Sequence, residues 1–294
     1  MTGQKTFIDY YLDYASPLTD APKDFHYFTA LTIMASVIGN QVYIPFGDSR
    51  IYTNIWAVLL APSSLYRKTT AINIGKKLLY RANSEAIFPN ESTPEALYDL
   101  LERTPQGLFV WSEFAGALAN FERSYNVGLK ELLTDLYDSF PEYKRKLKGK
   151  EFIIKNPCIN ILTASAVDWF NSRIKEGDIK GGFLARFIYI PASQKTKRVG
   201  IPPEADISLG NKLVFMLQEY QKVSGKADIS KIKSLYNDWL FEFEDSFAND
   251  GNRDYLSGFY TRLSGCYHNI VHLFLMLRNI ITSYTKLSLP RSCK

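Results

Sequence analysis

Six apolar residues in a row, from Ile55 to Leu60, run directly into the segment Ala61-Pro-Ser-Ser-Leu-Tyr-Arg-Lys-Thr-Thr70, and this junction constrains the chain more than any other feature. An unbroken apolar run of this length suits a strand covered on both faces, as in parallel sheets. From Thr69 onward the sequence reads as a helix with no acid in its first turn. The junction predicts a buried strand that turns sharply into a helix, with backbone N–H groups of the turn and helix start pointing outward.

The same alternation continues downstream. NIWAVLLA, TTAINIGKKLLYRA, TPEALYDLLERT, GLFVWSE, GLKELLTDLYDSF, INILTAS and RFIYIPA pass between short apolar runs and amphipathic stretches, the pattern of an α/β fold with a mostly parallel sheet. Residues 1–50 read as an N-terminal helical lead-in, with TALTIMASVIG helical and QVYIPFGDSR turning toward the next element. Residues 51–192 form the expected core. SQKTKRVGIPPEAD, 193–206, is polar, basic and proline-paired, and reads as a linker. Residues 207–294 turn helical, with apolar residues at helix spacing in ISKIKSLYNDWLFEFEDSF and YLSGFYTRLSGCYHNIVHLFLMLRNI. The final SLPRSCK reads as a ragged end, so a further partner domain is compatible with the chain.

Bulk composition excludes a few classes. At 294 residues and 46% hydrophobic, the chain has material for one large core or two smaller ones and does not resemble a disordered protein. Cys158, Cys266 and Cys293 are too few and too scattered for a disulfide framework, and no C-x-x-C pair is present. The apolar run Val271–Leu277 contains His272 and is followed by Arg278, well short of the ~20 residues a membrane helix needs. The N-terminus lacks a signal-peptide pattern. A cytoplasmic protein with no membrane span is expected. The net charge of +5 permits a polyanionic partner without demanding one.

The strict phosphate-loop pattern is G-x-x-x-x-G-K-[ST], in which backbone N–H groups hold phosphate oxygens, the lysine reaches the β/γ-phosphates and the hydroxyl binds Mg²⁺. Here Pro62 and Arg67 stand at the two glycine positions. Pro62 removes one donor, whereas Arg67 adds a guanidinium suited to phosphate. Ser63, Ser64, Arg67, Lys68, Thr69 and Thr70 are the candidate nucleotide contacts. A surface turn with a fortuitous Arg-Lys-Thr-Thr is the plain alternative.

Downstream residues bear on that choice. Leu108–Trp111 is an apolar strand ending near Glu113, a candidate to orient water or bind metal, with Ser112 where a second acid is usual; an exposed strand-end carboxylate is the alternative. Residues 142–155, EYKRKLKGKEFIIK, read as a hairpin turning at Lys148-Gly149-Lys150. Lys144, Arg145, Lys146, Lys148, Lys150 and Lys155 there suit a nucleic-acid backbone, or equally a lysine-solubilised edge. Cys158–Leu162 is a further strand leading to Thr163 and Ser165, candidate γ-phosphate sensors or simple helix caps. Arg186, between a glycine turn and a strand, reads either as a transition-state arginine reaching a neighbouring subunit or as an internal ion pair.

Together F-H-Y-F-T-A-L-T (25–32), A-P-S-S-L-Y-R-K-T-T, the strand ending at Glu113, the hairpin and G-G-F-L-A-R-F resemble the primase-helicase-like P-loop proteins of prophages, plasmids and integrative elements. The resemblance covers roughly residues 15–192, with a fainter echo in YTRLSGCYHNIVHLFLML. It implies a RecA/AAA+-type ATPase core flanked by helical regions, with ATP and Mg²⁺ as ligands and Thr69 and Glu113 at the metal. Lys68, Glu113 and Arg186 carry the catalytic roles, the last as an arginine finger. The basic hairpin implies contact with DNA, single-stranded in the first instance. A homo-oligomer and a primase partner complete the expectation. Two other readings stay open: a nucleotide-binding module that has lost hydrolysis, and a defence or regulatory ATPase without unwinding.

His268 and His272 have zinc-ligand spacing but lack the intervening acid of a zinc protease, so helix packing is expected. Asp135 and Asp138 read as a solvated helix edge.

Overall fold

The computed structural model describes residues 5–126, 128–147, 149–192, 194–195, 197–230 and 233–247. Lys148 and the stretch 248–294, with Cys266, His268, His272 and Cys293, lie outside the described residues.

Helix α1 (Phe7–Ala15) starts at a capping box, in which the Asp9 carboxylate accepts from Thr6 N–H at 2.8 Å and the Thr6 hydroxyl accepts from Asp9 N–H. A 3-10 turn, Ser16–Leu18, leads to α2 (Lys23–Ile38), which is apolar around most of its circumference and therefore buried. Strands β1 (Val42–Phe46) and β2 (Ser49–Ile51) then pair antiparallel across Gly47. Here the sequence reading of a simple turn falls short, because strands this brief carry too little periodicity to register.

The centre of the molecule is a four-stranded, all-parallel sheet. Strand β3 (Trp56–Leu60) is followed by α3 (Lys68–Ala82), α4 (Pro94–Arg103) and β4 (Gln106–Trp111). Helices α5 (Phe114–Phe121) and α6 (Leu129–Tyr137) precede an antiparallel hairpin, β5 (Glu142–Leu147) and β6 (Lys150–Lys155). Strand β7 (Cys158–Ser165), helices α7 (Val167–Arg173) and α8 (Glu176–Lys180), and β8 (Phe187–Pro191) complete the layer. The spatial order is β4-β7-β3-β8. Register places Leu60 level with Ser165 and Pro191, and Trp111 level with Thr163. Ile87 bridges Leu108 in parallel just beyond β4.

Strand alternation sends side chains into two apolar cores. Ala57, Leu59, Leu108, Val110, Leu162 and Ala164 face α1, α2, α3 and, later in the chain, α9 (Ile207–Tyr220). Trp56, Val58, Phe109, Trp111, Ile159 and Ile161 face α4 to α7 and the inner side of the hairpin. The result is a mixed α/β fold of three layers, and α1, α2 and α9 share their core with the sheet. Strand β9 (Gly225–Lys226) pairs parallel with β1, and α10 (Lys233–Phe247) follows. Among the described residues no helix is long and apolar enough to cross a membrane.

Candidate functional site

The chain leaves β3 and its neighbour β7 toward opposite faces. After β3 it enters α3, whose Ala71, Ile72, Leu78 and Leu79 join the first core, whereas after β7 it enters α7, whose Phe170 joins the second. A crevice therefore opens at the carboxyl ends of these two strands, the place where open α/β sheets bind ligands. Residues 61–67 occupy it.

Both neighbours pin the base of this loop. Ala61 N–H donates to Ser165 O at 3.3 Å, and Ala192 N–H donates to Leu60 O at 2.8 Å. Within the loop, Leu65 N–H bonds to Ser63 O at 2.7 Å around Ser64, which has φ 63°. Arg67 has φ 51° and stands immediately before α3. A left-handed backbone costs a residue with a side chain roughly 1–2 kcal/mol. The second glycine position of the strict pattern thus keeps a glycine-like backbone while holding an arginine.

No side chain caps α3, so its first N–H groups, at Lys68, Thr69 and Thr70, form a helix start with positive dipole character. The threonines are exposed, as are Ser63 and Ser64. Lys68 folds back into the loop, its Nζ donating to Ala61 O at 2.6 Å and to Pro62 O at 3.0 Å. Desolvation there lowers its pKa, and the opposing pull of the nearby Glu113 carboxylate favours the ammonium.

Glu113 stands two residues beyond β4 and begins α5, its Oε1 accepting from Ala115 N–H at 3.4 Å. The same oxygen accepts from the Ser165 hydroxyl. Strand-end acid and helix cap are thus one residue, half-buried rather than exposed. Ser112 beside it is exposed. Thr163 lies one pleat deeper than Ser165, level with Val58 and Trp111, and is fully buried with no hydrogen-bond partner for its hydroxyl among the described residues. Of the two sensor candidates, Ser165 is the one brought to the acid.

Arg186 does not join this group. It precedes β8, and Phe187 is level with Trp56, so roughly 13 Å of strand separates it from the loop end of the sheet. Its side chain is 6% exposed; Nη1 donates to Gly182 O at 2.8 Å, and Nη2 pairs with Asp138 at 3.2 Å. Of the two readings of Arg186, the structure shows the internal ion pair; its partner Asp138 is itself exposed, in keeping with its place on a solvated helix edge.

The hairpin divides its charges between two faces. Alternation puts Lys144, Lys146 and Lys155 on the outer face with Glu142 and Glu151, while Arg145 and Lys150 share the face of Phe152 and Ile154. Lys144 pairs with Glu142 at 2.7 Å, and Lys150 pairs with Asp99 of α4.

Two features carry no signal in the sequence. Asp20 pairs with Arg67 at 3.6 Å and with Lys195 at 2.5 Å. The stretch after β8, read as a linker, comes back beside the loop, and Leu65, Tyr66, Lys195, Lys197 and Arg198 help to line a cleft of ≈ 890 Å³ there. Among the described residues no cluster of three or more His, Cys, Asp or Glu is placed to hold a metal by itself. Compared with known proteins, the chain matches no family model, and no curated protein matches it.

Proposed function

We propose that this chain binds ATP at residues 61–70 and hydrolyses it with Mg²⁺, as a helicase-like ATPase acting on DNA. The observation that carries the reading is the coincidence of Lys68, the uncapped start of α3 and the Ser165–Glu113 pair at the carboxyl ends of β3, β7 and β4. Phosphate oxygens would accept from the exposed helix-start N–H groups and exchange with Ala61 O and Pro62 O as partners of Lys68. The bonds from Ala115 and Ser165 both fall on Oε1 of Glu113, so Oε2 is the oxygen assigned to orient the attacking water.

Thr69 and Glu113 would hold Mg²⁺; their hydroxyl and carboxylate oxygens suit a hard cation that takes one or two protein ligands besides phosphate and water. Bound there, the ion would neutralise charge developing on the phosphate oxygens. The helicase-like part of the proposal, with single-stranded DNA, a homo-oligomer and a primase as partners, is supported by the sequence resemblance and by the outer-face lysines of the hairpin.

A second reading, a module that binds nucleotide without turning it over, is favoured by the exposed Ser112 in place of a second acid and by the engagement of Glu113 with Ser165. Measuring ATP binding and turnover of the wild type and Lys68→Ala, with and without single-stranded DNA, separates the two. Turnover that DNA stimulates and Lys68→Ala abolishes supports the ATPase. Binding without turnover supports the module, and equal turnover in both proteins removes the loop from the reaction.

A further inference from the structure

The arginine at position 67 has a left-handed backbone that a glycine would adopt freely, so other contacts must hold the loop in this shape. Asp20 lies in the short stretch between the 3-10 turn and α2, and is 8% exposed. Its Oδ1 is 3.6 Å from Arg67 Nε, and its Oδ2 accepts from Lys195 Nζ at 2.5 Å. The neighbouring Lys197 donates to Ser16 O, securing the same stretch from the other side. One buried carboxylate thereby joins the loop, the N-terminal helices and the chain after β8. The lysine beside it holds its pKa below the ordinary aspartate range, so it stays ionised.

We propose that Asp20 is a positioning residue for the phosphate loop, its carboxylate tethering Arg67 so that an ion pair supplies the turn stability a glycine supplies elsewhere. The inference rests on the reading of residues 61–70 as a phosphate site. An exposed ion pair contributes little to stability. Asp20 differs in being buried and in holding two cations from separate parts of the chain.

A double-mutant cycle of Asp20→Asn and Arg67→Gly in the full chain tests the tether, because glycine removes the need for it. Two readouts apply: amide hydrogen exchange of residues 63–68 in the ligand-free protein, and affinity for a fluorescent ATP analogue. In the wild-type background Asp20→Asn is expected to speed loop exchange and weaken the analogue about tenfold each, equivalent to about 1.4 kcal/mol. In the Arg67→Gly background the same change is expected to alter either by less than about twofold, within ordinary additivity. Unchanged exchange in β3 and β7 shows that the variants fold. Equal effects in both backgrounds, or none in either, overturn the proposal. Absence of analogue binding in all four proteins sinks the phosphate reading instead, and the exchange data then decide the tether alone.

Discussion

Ser165 donates its hydroxyl hydrogen to Glu113 Oε1 across the ends of two neighbouring parallel strands, level with the last residue of β3. The bond fixes the direction of a carboxylate whose charge acts on the Lys68 ammonium. If Glu113 orients water, Ser165→Ala should lower kcat about tenfold while leaving KM within about twofold, and Glu113→Gln should lower it about a hundredfold or more. Steady-state ATPase assays measure both. Unchanged turnover in Ser165→Ala would reduce the serine to a strand-end contact.

The position of α3, and with it the loop, depends on a close helix crossing. A Cβ added at Gly75 would lie 2.4 Å from Thr29 Cγ2 and 3.0 Å from the Tyr11 hydroxyl oxygen. Both neighbours are buried, so the helices must move apart. Gly75→Ala should destabilise the fold by about 1–3 kcal/mol despite its better helix propensity. Urea unfolding reads the change, and a midpoint at or above that of the wild type would contradict the crossing.

The hairpin's divided faces separate binding from stability. Lys144→Glu with Lys146→Glu alters only the outer face and should weaken single-stranded DNA binding, lowering the salt slope by about 0.7 for each phosphate no longer neutralised. Lys150→Glu instead sets a third acid beside Asp99 and Glu102 and should lower the melting temperature. If the outer-face pair leaves affinity and salt slope unchanged, the hairpin makes no DNA contact through that face.

The four sheet strands were legible in the sequence because strands covered on both faces are dominated by apolar residues: Trp56–Leu60, Leu108–Trp111 and Phe187–Ile190 are apolar throughout, and Ile159–Leu162 is interrupted only by Asn160, whose Oδ1 accepts from Ile55 N–H at 2.7 Å. The hairpin was legible from Gly149, which has the positive φ of its turn. What escaped depends on chain path rather than local pattern. Arg186 follows a glycine turn, as an exposed arginine would, but its strand begins at the end of the sheet remote from the loop. Asp20 sits in a plain Leu-Thr-Asp-Ala-Pro stretch, and only the folded return of Lys195 makes it a junction. Glu113 was visible as a strand-end acid, whereas its bond to Ser165 required the adjacency of β4 and β7.

His26 gives the fold a pH dependence of predictable sign. Its ring is fully buried near Tyr11, and neither nitrogen has a hydrogen-bond partner among the described residues. Burial, with a smaller contribution from the Lys197 charge, lowers its pKa to about 4. An unfolded histidine titrates near 6.5, so between roughly pH 6.5 and 4 the unfolded chain binds the additional proton and stability must fall as pH falls. The loss from this residue begins near pH 6.5, is complete below about pH 4, and is on the order of 3 kcal/mol. Carboxylates titrate within the same range, so the informative quantity is the stability difference between wild type and His26→Phe, which keeps a ring but cannot take up the proton. Urea unfolding at pH 7, 6, 5 and 4 should show that difference shifting steadily in favour of the variant. Parallel stability curves for the two proteins would mean that His26 titrates alike in the folded and unfolded chain.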